Sequence, residues 1–257
     1  LAARNGNFDT GLDFCQQSLR ACPTNQEVLC LHNLLLALSG RQDNARLQRE
    51  KLLRDYPLNA TLWWLNWFDG RSESALAQWR GLCQGRDVNA LMTAGQLINW
   101  GMPALAAEML NALDCQRTLP LYLQASLLPK AERGELVVKA IDAFPQFVRF
   151  PNTLEEVAAL ESIEECWFAR HLLACFYYNK RSYGKAIALW QRCVEMSPEF
   201  ADGWRGLAIH AWNKQHDYEL AARYLDNAYQ LAPQDARLLF ERDLLDKLSG
   251  VTPEKRL

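Results

Sequence analysis

A repeating pattern of aromatic, small and larger apolar positions precedes four prolines, Pro23, Pro57, Pro198 and Pro233, which stand 34 residues apart in the first pair and 35 in the second. Counting back from each proline, the pattern places an aromatic residue at 15, a small one at 12, a larger apolar one at 8 and a small or apolar one at 5. Arg49 is the exception at the third position. The matching residues are Phe8, Gly11, Cys15 and Ser18; Ala45 and Leu52; Tyr183, Ala186, Trp190 and Cys193; Tyr218, Ala221, Leu225 and Ala228.

The spacings between these positions predict helices. Steps of three and four residues lie along one face of an α-helix, so each set forms an apolar stripe. The proline then ends the helix, because it lacks the N–H that the helical backbone needs. A second apolar helix precedes the clearest copies, over 173–177 and 204–211, with polar turns at 179–182 and 213–217. The pattern therefore predicts helix pairs joined by short turns.

The middle of the chain also predicts helix pairs, although the proline phasing is absent there. Apolar segments alternate with breaks at Gly70, at Gly101–Pro103 and at Pro129. No alternating run is long enough for a β-strand. The predicted helices cover 59–68, 74–83, 88–100, 104–113, 119–128 and 132–144.

Composition agrees with helices and narrows the function classes. Leu and Ala supply 75 of the 257 residues, whereas Val and Ile supply 13. The formal net charge is −2, so the chain lacks the excess positive charge of proteins that bind nucleic acid or anionic membranes. The eight cysteines include no C-x-x-C pair and lie in apolar segments, which predicts free thiols and a reducing, cytoplasmic location.

The proline-phased residues resemble the tetratricopeptide repeat (TPR), a helix-turn-helix unit of 34 residues. The resemblance is strong over 167–233, fair over 1–57 and poor over 58–150. It implies an all-α fold, an α-solenoid of antiparallel helix pairs that forms a right-handed superhelix. It also implies a protein or peptide partner bound on the concave face.

The same resemblance implies which residues face that groove, namely those on the first helix of each pair that lie between core positions. In the two clear copies the candidates are Phe168, His171, Tyr178, Asn179, Arg205, Trp212 and Asn213, with Cys175, Asp202 and Ile209 on the same faces. Some TPR proteins clamp a terminal carboxylate with repeated Lys and Asn on this face. Here other residues replace that pattern, so that ligand is not expected.

One segment, 143–152, departs from the repeat, with three phenylalanines and two prolines followed by a helix start with a Thr153 cap and Glu156 three residues later. It is similar to a Phe-Pro stretch in bacterial TPR proteins that carry an N-terminal β-rich domain. Either an apolar linker packed on the solenoid or a functional loop would account for it.

Catalytic motifs are absent from the sequence: there is no G-x-G-x-x-G, G-x-S-x-G or H-E-x-x-H. We therefore expect no enzyme activity, no cofactor and no metal site. Five glutamates at 155, 156, 161, 164 and 165 read as a solvated helix face. Trp63 and Trp64 are adjacent and point about 100° apart on a helix, so one of them is expected outside the core.

The leading hypothesis is a non-catalytic scaffold that binds a protein or peptide. One alternative is an accessory helical region of a carbohydrate-related enzyme, packed on a β-rich domain of the same protein that carries the chemistry. Another is a self-association module. The predicted organisation is TPR-like repeats over 1–57, a divergent helical-pair region over 58–150 and TPR repeats over 151–257. The incomplete first repeat and the apparent helix start at Thr252 predict that more sequence lies on both sides.

Overall fold

The computed structural model describes residues 5–84, 87–114, 116–143, 149–163, 165–252 and 256, which contain fifteen α-helices and no β-strand. They fall into two compact units, Leu1–Phe147 (unit 1) and Val148–Leu257 (unit 2). Unit 1 contains α1 (Phe8–Ala21), α2 (Gln26–Leu38), α3 (Gln42–Asp55), α4 (Ala60–Gly70), α5 (Glu73–Cys83), α6 (Asp87–Asn99), α7 (Pro103–Leu113), α8 (Thr118–Ser126) and α9 (Gly134–Asp142). Unit 2 contains α10 (Leu154–Glu161), α11 (Trp167–Asn179), α12 (Tyr183–Met196), α13 (Ala201–His210), α14 (Tyr218–Leu231) and α15 (Ala236–Leu248).

Within each unit the helices form consecutive pairs, each helix packing against the next one along the chain. Short turns between neighbours make them antiparallel. In unit 1 the first helices of successive pairs, α2, α4, α6 and α8, also contact one another in that order. The all-α fold of stacked helix pairs is therefore confirmed, and the six helices predicted for the middle of the chain are all present. The right-handed superhelix stays a prediction.

The turns at Pro57 and Pro198 are held by the same tryptophan hydrogen bond in both units. The indole Nε1 of Trp63 donates a 2.8 Å hydrogen bond to the carbonyl oxygen of Pro57, and Trp204 does the same to Pro198. Each tryptophan stands six residues after its proline, so the same lock fixes the turn that leads into α4 and into α13. Trp64, next to Trp63, is fully buried. The expectation that one of these adjacent tryptophans lies outside the core is met by the half-buried Trp63.

Two glycines of α13 let α12 approach closely. A β-carbon added at Gly206 would lie 2.3 Å from Cε2 of Trp190, and one added at Gly203 would lie 2.8 Å from Cγ1 of Val194. Both distances are far below van der Waals contact. The flat face of the Trp190 indole therefore packs directly on the helix backbone at Gly206.

Arg49, the residue that breaks the repeat pattern, is buried in unit 1 at the position where the other copies carry an apolar residue. Its guanidinium forms an ion pair with Asp69 and donates a 3.0 Å hydrogen bond to the amide oxygen of Asn33 and a 3.4 Å bond to that of Asn66. Asn33 in turn donates to the carbonyl oxygen of Ala45 at 2.7 Å. A connected polar network thus joins α2, α3 and α4 where the pattern expects apolar packing.

The remaining sequence expectations have mixed outcomes. The seven described cysteines all lie outside disulfide bonds, as predicted. Gly250 ends α15 in a left-handed conformation, with φ near +80°, as its position after the helix predicts. Among the described residues, no helix is both long and apolar enough to span a membrane. The expected first turn at 1–3 and helix start at 252–254 lie at least partly outside the described residues.

Candidate functional site: a cavity in unit 2

A cavity of about 570 Å³ in unit 2 lies beside α11 and α13. Three groups of residues line it. The first group is on α11 and directly after it: Cys175, Phe176, Tyr178, Asn179 and Lys180. The second group is Trp190 on α12 with Arg205 and Ile209 on α13. The third group belongs to the segment before α10: Arg149, Phe150, Pro151 and Asn152. The volume lies in the range typical of ligand-binding clefts.

Three of the seven predicted groove residues line this cavity: Tyr178, Asn179 and Arg205. Cys175 and Ile209, which share their helix faces, line it too. They meet because the first helices of two successive pairs, α11 and α13, pack side by side and present equivalent faces. Residues that the sequence pattern placed on α11 and on α13 therefore line one cavity.

Two other predicted residues, Phe168 and His171, are buried and do not line the cavity. Their rings stack with centroids 6.1 Å apart, and the Phe200 ring packs edge-on against both. Burial lowers the pKa of His171 to about 4, so the imidazole is neutral near pH 7. The structure places these two side chains in the core beneath the surface.

The last two predicted residues lie further along the chain. Trp212 is half-buried against the core cluster around Ala208 and Leu225, and Asn213 is exposed. Both belong to a π-helical turn, Ala211–Gln215, in which His216 follows with a positive φ of 54°. Neither residue lines the cavity.

The aromatic wall of the cavity is held by packing. The Tyr178 ring lies 5.4 Å from the Trp190 indole and 5.1 Å from the Tyr183 ring, centroid to centroid. Trp190 itself rests on Gly206. Burial raises the pKa of the Tyr178 hydroxyl, whose oxygen atom is itself buried. This wall is therefore closely packed and presents aromatic surface to the cavity.

Two ion pairs link α13 to α15 beside the cavity. The Arg205 guanidinium donates to both carboxylate oxygens of Glu241 on α15, its Nε at 2.8 Å from one and 3.1 Å from the other. Arg237 donates to Asp202 at 2.7 Å, again linking α15 to α13. Arg205 is thus both a lining residue and half of a clasp between helices.

The sequence pattern did not place the segment before α10 in the site, although its Phe-Pro character was visible. Phe150 is half exposed at the cavity, and Pro151 is buried. Residues 144–148 of the same Phe-Pro stretch lie outside the described residues. The expectation of a solvated glutamate face is wrong for Glu156, which is 3% exposed. The predicted cap is confirmed, since Thr153 and Glu156 form a capping box at the start of α10.

Comparison with solved structures finds proteins of similar fold. No family model matches the chain. It is similar to the Cut9 and Hcn1 hetero-tetramer of the APC/C, with 16% identity and a TM-score of 0.37 over 95% of this chain and 47% of that chain. Here it spans about half the length of the protein that it matches. Its likeness to YrrB, described as a TPR protein with an unusual peptide-binding site, has 16% identity and a TM-score of 0.35 over 89% of this chain and 97% of YrrB.

A TPR protein from Parabacteroides merdae ATCC 43184 is similar at 14% identity, with a TM-score of 0.35 over 95% of this chain and 94% of that one. Two of these three similar structures are thus described as TPR proteins. The class defined by the chain's own fold is that of an all-α protein built from stacked antiparallel helix pairs.

Proposed function

We propose that unit 2 is a non-catalytic peptide-binding module and that the cavity beside α11 and α13 is its binding site. The observation that carries the proposal is the meeting of predicted groove residues from two repeats, Tyr178 and Asn179 from one and Arg205 from the next, in one cavity with an aromatic wall. The proposed groove also includes Trp212 and Asn213, which follow α13 and do not line the cavity, whereas Phe168 and His171 lie in the core.

The chemistry of the wall suits a peptide. Asn179 carries an exposed side-chain amide able to bond backbone amides and carbonyls, while the aromatic rings beside it, Tyr178 among them, provide apolar contact area. A mostly apolar cleft with a few polar groups at its edge is the usual form of a recognition site.

The test is selection of a random displayed peptide library against the full 257-residue chain, followed by titration of the enriched peptides. Asn179→Ala should weaken their binding about threefold to tenfold, the effect of one or two lost hydrogen bonds. The matched control is Asn227→Ala, another exposed asparagine, which lies on α14 away from the cavity. Failure to enrich any peptide, or equal binding by both variants, would contradict the proposal.

The wider context is proposed on the sequence alone. We propose that the chain is part of a longer bacterial, cytoplasmic protein, with TPR-like repeats at 1–57 and 151–257 around a divergent region at 58–150. The finer hypothesis is the TPR region of YphG, whose N-terminal β-rich domain would offer an intramolecular packing partner. Burial raises the pKa of Cys30 and Cys193 to about 12, which keeps these thiols unreactive. Affinity capture with the full native protein would identify its partners.

A further inference from the structure

The wall of the cavity contributed by the segment before α10 is anchored by one buried carboxylate. Glu156 accepts a 2.7 Å hydrogen bond from Nη1 of Arg149, a 2.6 Å bond from the backbone N–H of Asn152 and a 3.3 Å bond from that of Thr153. A buried carboxylate with three donors is a strong anchor, because each bond is charge-assisted and shielded from water. Arg149 and the residues up to Asn152, here named the strap, therefore have a defined position.

The strap changes what the cavity can bind. It adds the guanidinium of Arg149 and the half-exposed ring of Phe150 to a surface otherwise formed by the repeats. Both belong to unit 2, as do all the other lining residues. The site is thus a repeat surface completed by a side wall with its own charged and apolar groups.

The charged residues known to line the cavity are all basic. They are Arg149, Lys180 and Arg205, and no acidic side chain from the described part of the chain lines it. The two carboxylates that pair with the arginines, Glu156 and Glu241, lie outside the lining and hold the guanidiniums from behind. Lys180 lies over the Phe176 ring, with its Nζ 5.6 Å from the centroid, and has no carboxylate partner among the described residues.

Each arginine keeps donors for a ligand. A guanidinium carries five N–H groups, and Arg149 uses one nitrogen on Glu156 while Arg205 uses its Nε and Nη2 on Glu241. Counting the two glutamates, these five charged residues carry a net positive charge of one, supplied by Lys180. A carboxylate entering the cavity would balance that charge and meet arginine donors that are already oriented.

We infer that this cavity takes an acidic peptide segment, in which a carboxylate pairs with Lys180 and with the remaining N–H groups of Arg149 and Arg205. An apolar residue next to that carboxylate packs on the exposed ring of Phe150. The inference rests on the proposed function and names the class of its ligand.

The experiment uses the peptides enriched by the library selection described above. Each is synthesised in two forms, the second with its Glu or Asp replaced by Gln or Asn. The acidic form should bind the wild-type chain about tenfold more tightly, as expected for one charge-assisted contact, and this advantage should shrink with added salt. Lys180→Gln should remove much of the advantage, and Phe150→Ala should weaken both forms alike.

Lys185→Gln is the matched control. The Lys185 Nζ also lies over an α11 aromatic ring, 4.9 Å from the Tyr177 centroid, but Lys185 does not line the cavity. It should leave both affinities unchanged. Enrichment of peptides without an acidic preference, or an unchanged acidic advantage in Lys180→Gln, would overturn the inference while leaving peptide binding intact. Failure to enrich any peptide would instead overturn the proposed function.

Discussion

Substitution of Gly206 by alanine tests the closest helix contact in unit 2. The new β-carbon would lie 2.3 Å from Cε2 of Trp190 and 2.6 Å from both Cδ2 and Nε1. Carbon atoms in normal contact are about 3.5–4.0 Å apart, so the indole or the whole of α13 would have to move by more than about 1 Å. The indole is a rigid ring, 4% exposed, and it is packed between Gly206 and the Tyr178 ring.

The magnitude follows from two opposing effects. Overpacking a core costs about 1–3 kcal/mol, and this contact belongs at the upper end because the obstacle is an aromatic ring face. Replacing glycine in a helix by alanine returns up to about 1 kcal/mol. We therefore expect Gly206→Ala to lower the free energy of unfolding by about 2 kcal/mol.

The assay is urea unfolding followed by circular dichroism, with the midpoint compared at constant slope. Gly184→Ala in α12 is the matched control, because a β-carbon there meets nothing within 4 Å and should leave stability unchanged or slightly raised. In a Trp190→Leu background the cost of Gly206→Ala should largely disappear, as contacting residues are not additive. A Gly206→Ala protein as stable as the wild type would refute the packing argument.

Three further predictions concern stability. Asp69→Ala should destabilise unit 1 by about 3–5 kcal/mol in urea unfolding, because it leaves the buried Arg49 charge without its carboxylate. The double variant Arg49→Leu with Asp69→Leu should recover most of that stability, and a loss equal to that of Asp69→Ala would contradict the argument. Trp63→Phe should cost about 1 kcal/mol by removing the donor to Pro57, and an unchanged midpoint would refute the turn lock. The pKa of His171 is lowered to about 4, so below about pH 6.5 the unfolded chain binds more protons than the folded one. The free energy of unfolding should therefore fall by up to about 3 kcal/mol between pH 6.5 and 4, and His171→Phe should flatten that dependence.

The helix pairs were predictable because their information is local. Small residues such as Ala186 and Ala221 and the following prolines recur at fixed helical spacings, and the structure buries both alanines completely. Arg49 shows where local pattern stops being informative. Its partners Asn33, Asn66 and Asp69 come from the neighbouring helices α2 and α4, and only the packed fold brings them together.

That Tyr178, Asn179 and Arg205 share one surface was predictable for the same reason, since equivalent positions of successive helix pairs come to lie side by side. The burial of each side chain was harder to predict. His171 and Arg205 occupy equivalent positions, yet His171 is buried under Phe200, whereas Arg205 reaches the cavity. The difference depends on which side chains pack above each residue, and helical periodicity carries no such information.

The strap marks the limit of what sequence could predict about the site. Its Phe-Pro composition distinguished it from the repeats, and the capping pair Thr153 and Glu156 correctly predicted where α10 begins. A capping glutamate ordinarily satisfies the free N–H groups at the first turn of a helix. Here Glu156 also binds Arg149, so a local helix-start signal doubles as the anchor of the cavity wall. A solvated glutamate and a buried anchor have the same sequence signature, and only the packing of α10 in unit 2 distinguishes them.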